Sequence, residues 1–127
     1  MGEESLKSKT TKLLRCLRDV NEKEWSNQKL IRKLKDDLKK GRDDDSLAQV
    51  LISHSSYESV EKYNKKEEEI SNFVSIYDGL SPWRKLVQAR GNELKENIER
   101  YILEFEQCRI AVKDVTFHNE DTYQDDR

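Results

Sequence analysis

Between Val87 and Val115 one edge of the chain reads Val87, Gly91, Leu94, Ile98, Tyr101, Phe105, Cys108, Val112, Val115. The steps alternate four and three without a slip, the spacing that keeps one continuous seam along a supercoiled helix. The other positions are mostly Glu, Lys, Arg, Asn and Gln, so the helix carries a narrow oily stripe that it cannot satisfy alone. The stripe must lie against other helices. The fold class that follows is all-α: a long-helix coiled coil, an up-down-up three-helix bundle or a helical hairpin rod.

Composition supports long helices over a thick globular core. Of 127 residues, 39 % are charged and 34 % hydrophobic, with four glycines and one proline. Such a chain can bury a seam while exposing its remaining faces. A disordered chain can share this balance but not the sustained period.

Three helices are expected, at about 5–40, 47–77 and 82–115, forming one domain over 1–117. The first reads Leu6, Thr10, Leu13, Leu17, Val20, Glu24, Asn27, Ile31, Leu34, Leu38 along its seam, interrupted at Glu24 and Asn27. Gly41 is read as its terminator, since glycine most readily takes the left-handed conformation that ends a helix. Asp45 or Ser46 is then placed to cap the second helix. That helix keeps the rhythm through Val60, Tyr63, Glu67, Ile70, Val74 and Tyr77, but its beginning lies on a different phase. Ser55 and Glu58 have the spacing of a capping box, so a break near Ser55 stays open. Gly79, Ser81 and Pro82 then supply a terminator, an N-cap and a first-turn proline. Residues 118–127 are acidic, lack an apolar period and are expected to form a flexible tail. The three lengths are near equal, about 45–55 Å each at the helical rise, with short connections that favour antiparallel neighbours.

Charge divides the chain. Residues 5–42 hold thirteen Lys or Arg against five Asp or Glu, whereas 43–127 hold eleven against nineteen. Opposite charges at seam edges can set the register between helices. A sharper reading is a basic patch of Lys29, Arg32, Lys33, Lys35, Lys39 and Lys40 around Leu30, Ile31, Leu34 and Leu38. Such a stretch suits nucleic acid or an anionic membrane. Asp36 and Asp37 weaken its field, which disfavours nucleic acid.

No constellation announces chemistry. His54 and His118 stand apart from the cysteines, and no CxxC, HxxxH or ExxH spacing occurs, so no metal and no cofactor is expected. The Glu67-Glu68-Glu69 run reads as a solvated face. Cys16 and Cys108 are too few for a disulfide framework and read as reduced thiols. Gly91 is expected inside the third helix, admitting a bulky side chain such as Trp25 or a partner's aromatic. Glu24 and Glu67, if buried, should meet a basic residue from another helix.

The chain is therefore read as a non-catalytic scaffold or interaction subunit of a hetero-oligomeric intracellular assembly of cytoskeletal, centrosomal, kinetochore or vesicle-tethering type. Its protein partners are expected on Leu94, Ile98, Tyr101, Phe105, Cys108 and Val112, with a basic module at residues 29–40 as the alternative. No apolar run is long enough to span a membrane, and the acidic start has no signal-peptide core. The expected compartment is the cytoplasm, with the nucleus as second choice.

Overall fold

The structure, a computed structural model, describes the backbone over residues 2–125 and the side chains over 6–115. Over the described residues it is all-α, with helices α1 (Gly2–Asp43), α2 (Asp45–Ser53), α3 (Glu58–Asp78), α4 (Pro82–Gln88) and α5 (Glu93–Asp125).

α1 runs through Gly41 rather than ending there, and no described glycine has a positive φ. Gly41 serves packing instead. A Cβ at this position would lie 2.5 Å from the Tyr63 hydroxyl and 3.3 Å from Phe105 Cζ. The connection between the first two helices shrinks from the expected 41–46 to Asp44, which is also the cap of α2. Its Oδ1 accepts from the Leu47 N–H at 3.1 Å and from the Ser46 hydroxyl at 2.9 Å. The capping residue is thus one position earlier than Asp45. A carboxylate is held by these donors, so the Asp44 pKa is lowered, first by the Leu47 backbone N–H.

The break near Ser55 is present, at residues 54–57, and the His54 N–H closes α2 on the Val50 carbonyl at 2.9 Å. α3 begins after Tyr57 in the cap position, not after Ser55. At the second breaker the Ser81 hydroxyl accepts from the Arg84 N–H at 3.2 Å and Pro82 opens α4. The third helix is not continuous. It breaks between Gln88 and Glu93, where Gly91 and Asn92 are weak helix formers. The break lets α4 rest against α1. α5 continues beyond residue 115, and its backbone stays helical to Asp125. The side chains of the segment read as a flexible tail, 118–127, lie outside the described residues.

Ion pairs fix the direction of each neighbour. Lys35–Asp78 (2.7 Å) and Arg42–Glu67 (3.2 Å) make α1 and α3 antiparallel. Lys66–Glu104 (2.8 Å) and the Tyr101 hydroxyl donating to Glu69 (3.1 Å) make α3 and α5 antiparallel. The core joins Ile31, Leu34 and Leu38 of α1 to Leu47 and Val50 of α2. Val60, Tyr63, Ile70, Val74 and Tyr77 of α3 meet Leu94, Ile98, Phe105 and Val112 of α5 in the same cluster. Tyr63 and Phe105 pack against each other there, their rings tilted by 35° with centroids 5.3 Å apart.

The lengths are unequal. α1 has 42 residues and α3 has 21, so at the helical rise α1 is about 63 Å long and α3 about 31 Å. α3 therefore reaches along only half of α1. Residues 6–19 are all exposed, and among the described side chains of α1 the first fully buried one is Asn27. The N-terminal half of α1 projects from the bundle as an arm.

Candidate interaction surface

The six α5 residues expected to meet a partner are placed in the chain's own packing. Leu94, Ile98, Phe105 and Val112 are core, and Tyr101 and Cys108 are half-buried against it. The stripe is covered by α1, α2 and α3 because the chain folds back on itself twice. Two seam positions upstream drop out: Val87 is about half exposed on α4, and Gly91 is exposed at the α4–α5 break. A Cβ on Gly91 would meet no atom nearer than 4.0 Å, so this glycine admits no bulky group. Trp25 lies elsewhere, beneath the Lys29 ammonium at 3.6 Å from its ring centroid.

The basic residues of 29–40 are on the surface, but their apolar companions are not free. Ile31, Leu34 and Leu38 are buried in the bundle, and Leu30 packs against it. Lys33 pairs with Asp37 at 2.8 Å, Lys35 with Asp78, and Lys29 covers Trp25. Arg32, Lys39 and Lys40 are exposed. The cluster is thus the polar back of a core helix and offers no apolar face for insertion.

A free apolar face lies on the arm, in register with the buried seam of α1. Leu6, Leu13, Leu14 and Leu17 are 66 %, 60 %, 60 % and 48 % exposed. Leu6, Leu13 and Leu17 share the four-three register of the buried Asn27, Ile31, Leu34 and Leu38, so one seam runs the length of α1 and is filled only at its C-terminal half. Leu14, Leu17 and Trp25 border a shallow apolar groove with Arg18, Asn21 and Glu22. Residues 6–18 carry Lys7, Lys9, Lys12, Arg15 and Arg18 and no Asp or Glu. Sequence reasoning passed over this segment, although its unbroken positive charge was visible.

Two polar seam residues mark where the filled half ends. Glu24 accepts from the Gln28 amide at 2.5 Å and from the Tyr77 hydroxyl at 3.5 Å. The basic partner expected for Glu24 is thus absent among the described residues. Burial, reinforced by the Glu24 charge, pushes the Tyr77 phenol up to about 12. Asn27 is 2 % exposed, and among the described residues its amide makes no side-chain hydrogen bond. It borders an open polar cleft of about 320 Å³ with Asp19, Lys23, Asn92 and Lys95. Glu67 does meet a basic residue, Arg42 of α1, at 3.2 Å.

Elsewhere the shifted groups answer to packing. Burial pushes the Tyr63 phenol up to about 12 and raises the Cys108 thiol. The Glu104 carboxylate holds Lys66 charged above its ordinary range, and Lys66 in turn lowers Glu69. Cys16 and Cys108 are free thiols, Cys16 exposed on the arm. Among the described residues no three His, Cys, Asp or Glu side chains gather as metal ligands, and no helix is long and apolar enough to cross a membrane. The chain matches no family model, no curated protein and no solved structure.

Proposed function

We propose that this chain is a non-catalytic interaction subunit of a hetero-oligomeric assembly, in which the C-terminal half of α1 with α2–α5 forms a self-filled bundle and the N-terminal half of α1 is the contact. The observation that carries the reading is the exposure of Leu6, Leu13 and Leu17 in register with the buried part of the same seam. A helical segment without tertiary packing draws little stability from propensity alone. An apolar stripe on it is stabilised by a second helix far more than by solvent. Cytoskeletal, centrosomal, kinetochore and vesicle-tethering assemblies use subunits of this kind. Two free thiols fit a reducing compartment, the cytoplasm or nucleus.

The reading that gives residues 29–40 to nucleic acid or membrane loses support, since its apolar half is core and Lys33 and Lys35 are paired. Hydrogen exchange tests the proposal. Backbone amides of residues 6–20 should exchange rapidly in the isolated chain and slowly in the native assembly. The combined Leu13→Ser and Leu17→Ser variant should lose that protection while the bundle's melting temperature holds. Equal, rapid exchange of the arm in both samples refutes the reading.

A further inference from the structure

Building on the reading of the arm as the contact, we infer that its occupant is an acidic amphipathic helix of another protein, paired with α1 along the continued seam. Register, charge and shape support this independently.

Reading Leu6, Leu13, Val20 and Asn27 as one seam position and Thr10, Leu17 and Glu24 as the other, the arm keeps coiled-coil spacing into the core. The flanking positions hold Lys7, Leu14 and Asn21 on one edge and Lys9, Cys16 and Lys23 on the other, so every charge on these edges is positive. Coiled-coil partners are selected by opposite charges at these edges. Further round the helix, Lys9, Lys12, Arg15 and Arg18 form a ladder at spacings of three, with no carboxylate between them. Like charges at that spacing repel on an isolated helix. An acidic neighbour removes the repulsion, whereas a second basic arm doubles it. Two arms side by side are therefore a poor solution.

Shape separates a helix from a flat surface. The arm's seam lies on the side of α1 that faces the bundle, within the drift of about 20° per heptad of a straight helix. The α4–α5 corner sits on that same side, where Gly91 and Asn92 border the cleft of Asp19, Lys23 and Asn27. A bilayer pressed along the seam meets this corner. A slim helix running beside the arm abuts it.

The test titrates the full chain with a synthetic helical peptide about three heptads long, with Leu at both seam positions and Glu at both flanking positions. Its counterpart carries Lys for Glu. Vesicles containing phosphatidylserine and a concentration series of the chain alone complete the set. The acidic peptide should bind, protect amides 6–20, and bind about 10-fold more weakly as salt is raised well above physiological levels. The Lys peptide should bind at least about 30-fold more weakly. Leu13→Ala with Leu17→Ala, which preserves helix propensity, should weaken the acidic peptide about 100-fold, the loss expected for two leucines left unburied. Lys7→Glu with Lys9→Glu should reverse the preference for charge. Equal binding of the two peptides, or none, overturns the inference. So does arm protection by vesicles alone, or by self-association of the chain. If the arm is protected in the native assembly while the acidic peptide fails, the contact stands and its assigned chemistry falls.

Discussion

Replacing Gly41 by alanine sets two effects of one methyl group against each other. Alanine is the better helix former by about 1 kcal/mol at an interior position, and less near an end. Gly41 lies in the last turn of α1, so only part of this gain applies. Against it, the new Cβ would stand 2.5 Å from the Tyr63 hydroxyl and 3.3 Å from Phe105 Cζ. Both rings are 1 % exposed and packed against each other, so neither can swing aside cheaply. Inserting a methyl group into such a site typically costs about 1–3 kcal/mol. The net expectation is a loss of about 1–2 kcal/mol, or about 4–8 °C in melting temperature for a domain of this size.

The same geometry predicts a rescue. Tyr63→Phe removes the oxygen responsible for the shortest approach. Among the described residues that hydroxyl makes no hydrogen bond, so its removal alone should be neutral or stabilising. In the Tyr63→Phe background, alanine at position 41 faces only the 3.3 Å contact, which a small shift of Phe105 relieves. Its helix advantage should then survive, and the coupling between the two sites should be about 1 kcal/mol or more. Urea unfolding of the four proteins, followed by circular dichroism, measures the cycle. Stabilisation by Gly41→Ala in the original background, or the same shift in both backgrounds within about 0.5 kcal/mol, refutes the packing described.

Alkali should destabilise the bundle, because Tyr63 and Tyr77 are pushed from 10.0 to about 12 in the folded chain. Between those values the folded state holds protons that the unfolded state has released, so stability is full below pH 10 and falls as pH rises toward 12. The urea midpoint should drop over that window, and less steeply in Tyr63→Phe with Tyr77→Phe; an unchanged slope counts against the burial. Phe105→Ala should cost about 3–5 kcal/mol, whereas Leu17→Ala should stay within about 0.5 kcal/mol in the isolated chain. Similar losses would place Leu17 in a packed environment. Cys16 is exposed and Cys108 half-buried with its thiol raised by burial. A neutral-pH thiol reagent should therefore label Cys16 first, and equal rates would contradict the placement of α5.

Where the signal was local chemistry, the fold could be read from the chain. Ser81 and Pro82 start α4 because a hydroxyl and a missing N–H suit a helix N-terminus wherever it sits. The Val60–Tyr77 stripe is buried because period alone fixes its face, with Glu67 held by Arg42. Gly41 was misread because a terminating glycine and a packing glycine look alike locally. Which it is depends on Tyr63 and Phe105, both distant in sequence. The break at Gly91 and Asn92 was hidden for a related reason. The four-three rhythm passes through Gly91 without a slip, so periodicity suggested continuity where helix propensity did not.

The α5 residues expected to meet a partner fall in the chain's own core, because periodicity specifies which face of a helix is covered and says nothing of what covers it. Both halves of the α1 seam have the same spacing, yet Leu34 is fully buried and Leu13 is 60 % exposed. Helix length decides between them, since a chain broken near Ser55 leaves α3 too short to reach Leu13. Charge then distinguishes the halves. The buried half carries both signs and pairs three of its cations within the chain, through Lys33–Asp37, Lys35–Asp78 and Arg42–Glu67. The stretch from Leu6 to Arg18 has five cations and no carboxylate, with Glu3 and Glu4 before it and Asp19 and Glu22 after it. Spacing alone therefore marks the whole α1 seam, and helix length decides how much of it the chain itself fills.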